Sequence, residues 1–160
     1  PLGAMGVSDR IAEHFKSNVF WGGLTYNAHA LCCATALATV GVLRDEKLVE
    51  NSAKMGTLLR REMDRLTAEH PSVKVGRNIG LFGMIDLQKN SAGEPFAAYN
   101  GSHPVMGQLS KAFLDNGLFT FVRWGSFMCN PPLCITEEQF MEGIEIIDRC
   151  LQITDDAFEG

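Results

Sequence analysis

The sequence is poor in several things, and each shortage removes a class of function. It has no apolar run long enough to span a bilayer: the stretch 30–43 falls short of the ~20 residues a membrane helix needs. It has no excess of positive charge, since 14 Lys and Arg stand against 19 Asp and Glu, a formal net charge of −5. A general electrostatic footprint for nucleic acid or an anionic membrane surface is therefore missing. It has no C-x-x-C pair among its five cysteines, so no zinc site is outlined. His29 and Cys32 are spaced to face one metal, but nothing completes the set, and no metal is expected. The odd cysteine count and the adjacent pair Cys32-Cys33 argue against a disulfide framework. They read as buried thiols in a reducing, cytoplasmic compartment. No repeat of about 20–50 residues and no low-complexity tract is visible.

What is present is the composition of a globular protein: 160 residues, 46% hydrophobic and 21% charged. Ser8 is placed to cap a short helix over 9–16, and Gly22-Gly23 reads as a turn. Residues 28–43 contain no Lys, Arg, Asp or Glu, which predicts a helix buried nearly all round. Its many small residues permit close backbone approach. Residues 45–69 are amphipathic, with Leu48, Met55, Leu59, Met63 and Leu66 on one stripe, and Pro71 stops them. A helix of roughly 25 residues is about 37 Å long, which suits an element joining two domains.

The second half changes character. Residues 73–75 and 79–87 read as strands separated by Gly76-Arg77-Asn78, and 88–104 as a polar surface loop. A helix is predicted over 105–116, with Met106, Leu109 and Phe113 inward and Gly117 just past its end. Residues 118–122 and 127–129 are β-rich. Thr136 and Gln139 form a capping box, Ile135 and Phe140 a hydrophobic staple, and Phe140, Ile144, Ile147 and Leu151 the buried stripe of a last helix. The order predicts an α+β unit, a small, mainly antiparallel sheet with helices on one face. The first 70 residues do not look like part of it. The expected organisation is the end of a larger domain over 1–44, a connecting helix over 45–70 and a small C-terminal domain over 71–160. On that reading the chain is a piece of a longer protein.

Four segments, in order, carry a resemblance. "FWGGLTYNAHALCCATALATVGVL" resembles the G-x-T-Y-x-x-H-P segment of class III (omega-type) aminotransferases, enzymes of the type I pyridoxal phosphate fold. "PLGAMGVSDRIAEHF" resembles the strand and helix that follow the cofactor lysine in that family, and "RNIGLFGMIDL" the first strands of its small domain. "FVRWGSFMCNPPLCIT" resembles its substrate-arginine strand and Pro-Pro-Leu signature, and is similar in particular to the taurine–pyruvate branch. The resemblance implies the end of an α/β large domain followed by the α+β small domain. It also implies pyridoxal 5′-phosphate as cofactor, a homodimer, and an amine and a keto acid as substrates.

Residue by residue, the resemblance implies that Thr25, with Gly23 and Leu24, contacts the cofactor phosphate of the partner subunit. A hydroxyl and backbone N–H groups at a Gly-rich turn ahead of a helix are suited to a phosphate. The plainer alternative is that Thr25-Tyr26 begins a buried helix. Ala30 and Asn27 depart from the residues usual in relatives, without touching the threonine. Arg123, with Trp124, stands where relatives bind the substrate carboxylate, and an arginine fork suits a carboxylate or sulfonate. The alternative is a surface arginine at a strand end, and its spacing to Pro131-Pro132 is short for the family. Arg77 reads as structural. The lysine that forms the Schiff base lies upstream of the residue matching Pro1, so no catalytic residue is assigned to this chain.

Three readings stay open: the C-terminal part of an aminotransferase completed by an N-terminal portion, a non-catalytic interaction or regulatory domain of that origin, and an unrelated α+β binding module. The first makes a prediction for the chain alone. Borohydride reduction with pyridoxal phosphate should leave no stoichiometric adduct on Lys16, Lys47, Lys54, Lys74, Lys89 or Lys111, as peptide mass spectrometry would show. A single-site adduct would contradict the alignment.

Overall fold

A computed structural model of the chain describes residues 2–160. It divides into two compact units, Pro1–Lys47 and Leu48–Gly160.

The first unit holds α1 (Asp9–Ser17) and α2 (Ala30–Asp45). Ser8 is the extended N-cap of α1, and its carbonyl accepts from the Ile11 and Ala12 N–H groups at 2.9 and 3.0 Å. Its hydroxyl makes no capping bond, so only the backbone half of the expected cap forms. The turn falls at 25–28, not at Gly22-Gly23. There the Leu24 carbonyl accepts from Asn27 N–H at 3.1 Å, and Ala28 takes a φ of 53°. Gly22 serves a different need, because a Cβ there would lie 2.3 Å from the Phe20 ring. In α2 the Thr35 and Thr39 hydroxyls donate to carbonyls one turn back, which quiets their polarity. The expected all-round burial is not supplied by the unit itself. No residue of α2 is buried, and Leu31, Leu37 and Val40 face outward.

The second unit opens with α3 (Leu48–Glu69), separated from α2 by Lys47 at a φ of 53°. The helix expected from 45 therefore starts at Leu48. It packs on β1 (Val73–Ile79) and β2 (Phe82–Leu87) within this unit. Its stripe of Met55, Leu59, Met63 and Leu66 is buried as the periodicity requires. Gly76 was expected in a turn, but it lies inside β1 opposite Ile85. A Cβ there would come within 2.6 Å of Met63 Cβ, so this glycine admits the helix. The chain reverses at Gly80-Leu81, with Gly80 at a φ of 54°. Gly56 of α3 meets that turn: a Cβ on it would stand 2.5 Å from Gly80 Cα.

The antiparallel sheet has the order β1-β2-β4-β3, completed by β3 (Val122–Arg123) and β4 (Ser126–Cys129). Gly83, Ile85 and Leu87 of β2, and Phe127 and Cys129 of β4, alternate with less buried neighbours. One face therefore meets the helices, as expected of an α+β unit. The residues 88–103 are more than a surface loop, since Phe96 and Ala97 are buried. The helix α4 (Pro104–Asp115) ends as predicted. Gly117 has a φ of 85°, its N–H reaches the Leu114 carbonyl, and Leu118 N–H reaches Phe113. Leu118 thus closes the end of α4, and of the β-rich run 118–122 only Val122 is strand. The last helix, α5 (Glu137–Asp155), carries the predicted Thr136/Gln139 capping box, and Phe140, Ile144, Ile147 and Leu151 are buried.

A charged cluster ties the end of α3 to α5. Arg65 reaches Asp148 at 2.7 Å, while the His70 ring nitrogens stand 2.6 Å from Asp155 and 3.1 Å from Asp148. Burial opposes the charge on Asp148, but Arg65 and His70 hold its pKa below the ordinary carboxylate value.

The close approach of α3 gives a paired prediction. Gly56→Ala should destabilise this unit by about 1–3 kcal/mol, because backbone must move. Gly107→Ala, at an open position of α4, should be neutral or stabilising by about 0.5–1 kcal/mol. Urea unfolding of both variants measures the contrast.

Candidate functional site

The β3–β4 hairpin carries Arg123 and Trp124. Val122 pairs with Phe127 and Arg123 with Ser126, leaving Trp124-Gly125 as the turn. Gly125 is wedged against the 88–103 loop: a Cβ would sit 3.0 Å from Pro95 Cβ, and its carbonyl accepts from Leu87 N–H at 2.7 Å. Arg123 is exposed, and its guanidinium carbon lies 4.5 Å from the Trp124 ring centroid and 5.9 Å from that of Phe121. Both rings attract the cation. Among the described residues no carboxylate pairs with Arg123, whereas Arg61, Arg65 and Arg77 all hold one. Asp86, the nearest candidate by strand position, is taken by Arg77 and by the Ser126 hydroxyl. Arg77 is thus engaged within the sheet, and the Arg123 guanidinium, like those of Arg10 and Arg149, has no carboxylate partner among the described residues.

Gly23 and Leu24 immediately precede the 25–28 turn ahead of α2, Thr25 opens it, and all three are exposed. Among the described residues the Thr25 hydroxyl has no hydrogen-bond partner, and the N–H groups of residues 23–26 have no backbone acceptor. A Cβ on Gly23 would meet nothing within 4 Å, so the backbone is open to approach. Free donors at an accessible turn fit one edge of a phosphate. Arg123 and Trp124 belong to the second unit.

The sequence reading missed Tyr99 and Phe121. Tyr99 sits in the 88–103 loop with its ring centroid 4.5 Å from that of Trp124. The loop holds two aromatics, Phe96 and Tyr99, and nothing local to Tyr99 marks it, since only the fold brings it to Trp124. An apolar cavity of about 420 Å³ lies between residues 118–121, β4 and α5, lined by Leu59, Phe121, Pro132, Phe140 and Ile144. Its polar groups are engaged: Thr120 donates to the Met128 carbonyl, and Asn130 accepts from Gly83 N–H. Among the described residues no cluster of three His, Cys, Asp or Glu could hold a metal, and no helix is long and apolar enough to cross a membrane. The ring of His29 packs near Tyr26, centroids 5.6 Å apart.

With this geometry in hand, comparison with known proteins defines the class. The family model described as aminotransferase class-III matches residues 1–151, and the chain belongs to that family. It is similar to the putrescine–pyruvate aminotransferase of Pseudomonas aeruginosa, 30% identical over 96% of this chain and 33% of that protein. It is 34% identical to the mitochondrial ornithine aminotransferase of Drosophila melanogaster, over 94% of this chain and 31% of that one. Among solved structures, the taurine:2-oxoglutarate aminotransferase of Bifidobacterium kashiwanohense, in complex with PLP and glutamate, superposes with a TM-score of 0.87. That match has 32% identity and covers 95% of this chain and 34% of that one. The chain spans about a third of the length of the curated relatives it matches. The cofactor of this family is pyridoxal 5′-phosphate.

The cysteines divide by environment, which corrects the expectation that all are buried. Cys129 and Cys150 are buried, Cys32 and Cys33 half-buried, and Cys134, just past the Pro-Pro-Leu signature, is exposed. Burial pushes the Cys129 thiol up to about 12 and raises Cys150 as well. With a disulfide reagent near pH 8, Cys134 should be labelled fast, and Cys129 only after unfolding. Peptide mapping over a time course distinguishes this from uniform labelling.

Proposed function

We propose that this chain is the C-terminal part of a pyridoxal-phosphate-dependent transaminase. The complete enzyme moves an amino group from an omega-amine or amino acid, of taurine or β-alanine type, to pyruvate or a similar keto acid. The observation that carries this reading is Arg123: a cation without an internal carboxylate, stacked on Trp124, ahead of Pro131-Pro132-Leu133 in a class III aminotransferase chain. The taurine and pyruvate assignments draw support from the named relatives and from the "FVRWGSFMCNPPLCIT" segment.

In this reading 1–44 ends the large cofactor-binding domain, 45–70 connects, and 71–160 is the small domain. The N-terminal portion of the same enzyme brings the lysine, so the chain alone is inactive, and the working form is a cytoplasmic homodimer. Thr25 donates its hydroxyl to a phosphate oxygen across the subunit interface, and the Gly23 and Leu24 backbone approaches the same group. Arg123 grips the substrate carboxylate or sulfonate with two parallel N–H donors, fixing its register. Trp124 walls that position and excludes water from it. The cofactor, when bound, supplies the electron sink for amino transfer.

The two contacts separate by mutation of the complete enzyme. Thr25→Ala removes a charge-assisted hydrogen bond of roughly 1.5–3 kcal/mol and should weaken cofactor retention while sparing substrate choice. Arg123→Ala should leave cofactor binding near normal and impair the keto acid half-reaction, with little effect on an uncharged amine donor. Half-reactions followed separately by stopped-flow absorbance decide it. Intact pyruvate use in Arg123→Ala would reduce the residue to a strand-end arginine.

A further inference from the structure

Trp124 holds a backbone conformation that tryptophan resists. Its φ is 53°, in the left-handed region where a bulky side chain is an outlier and glycine is at ease. A two-residue hairpin turn offers no reason of its own to place the largest side chain there. Strain of this kind persists where the side chain has a task that outweighs it.

The surroundings show what the ring does. Its indole lies 4.5 Å from the Arg123 guanidinium carbon, and the Tyr99 ring lies 4.5 Å from the indole at a tilt of 48°. Tyr99 is itself presented by a built turn. Gly101 N–H donates to the Ala98 carbonyl at 2.8 Å, and Asn100 takes the left-handed φ of 59° that such a turn needs. The buried Phe96 and Ala97 anchor this loop, and the Phe96 ring packs on His103 at 5.5 Å. Yet Tyr99 stays 77% exposed, so its position is not explained by core packing.

We propose that Tyr99 and Trp124 are positioning residues for Arg123, a stacked pair that holds the guanidinium ready for an incoming carboxylate or sulfonate. The proposal rests on reading Arg123 as the anion anchor. A long side chain loses rotamer freedom when it grips a ligand, and a stacked arginine has surrendered much of that freedom beforehand. The rings also lower the local competition from water, which strengthens the fork on its anion. Tyr99 acts through Trp124, and its ring rather than its hydroxyl does the holding.

The test uses the complete, cofactor-loaded enzyme and four variants: Arg123→Ala, Trp124→Gly, Tyr99→Leu and Tyr99→Phe. Pyruvate and an uncharged amine serve as probes of separate half-reactions, with Tm measured in parallel. Trp124→Gly should lower kcat/KM for pyruvate about tenfold, chiefly through KM, and change the uncharged amine by less than about twofold. Its Tm should hold or rise, because glycine relieves the turn. Tyr99→Leu should show a smaller loss of the same selective kind, and Tyr99→Phe should restore it. Equal loss in both half-reactions with a lowered Tm would show a structural role and overturn the proposal. Pyruvate kinetics unchanged in Trp124→Gly but impaired in Arg123→Ala would overturn the positioning pair and leave the anchor standing. Pyruvate kinetics unchanged in both would overturn the anchor and the pair together.

Discussion

The second unit depends on how closely α3 approaches the β1–β2 hairpin. Two glycines set that distance: Gly76 in the strand against Met63, and Gly56 in the helix against the Gly80 turn. With no Cβ in the way, Met55, Leu59, Met63 and Leu66 reach the sheet and share one core with Ile85, Leu87 and Phe127. Interiors are packed too densely to absorb an added methyl group here without moving backbone. β4 pairs with β2, and β3 with β4, so the position of Arg123 is inherited from this contact through two strand registers.

The elements legible in the sequence were those governed by local chemistry. The capping box at Thr136, the glycine stop at Gly117 and the apolar stripes of α3 and α5 all form as their residues require. One error came where a residue serves a distant partner. Gly76 looked like a turn because its reason for being glycine lies across the fold in Met63. The Gly22-Gly23 pair misled for a local reason: Gly22 makes room for the Phe20 ring, and the reversal falls at 25–28. At the site, Arg123 and Trp124 stood out beside Pro131-Pro132. Tyr99, 25 positions before Trp124, could not, since only the folded loop brings the rings together.

The first unit shows a different limit. Its helix α2 was predicted from its lack of charge, and it forms, yet Leu31, Leu37 and Val40 remain exposed. Covering each such side chain is worth roughly 1.5–3 kcal/mol, so the sequence specifies a surface that its own unit does not fill. The same unit offers Thr25 with unengaged donors at an open turn. The relatives the chain matches are about three times as long as the whole chain.

The central claim is that Arg123 is the anion anchor of a transaminase. It is tested most directly by a crystal structure of the complete enzyme with its cofactor and a carboxylate-bearing substrate analogue. The account predicts the Arg123 fork on the carboxylate at ~2.7–2.9 Å, with Trp124 still stacked beneath it. A carboxylate held by other residues, with Arg123 turned to solvent, would contradict it.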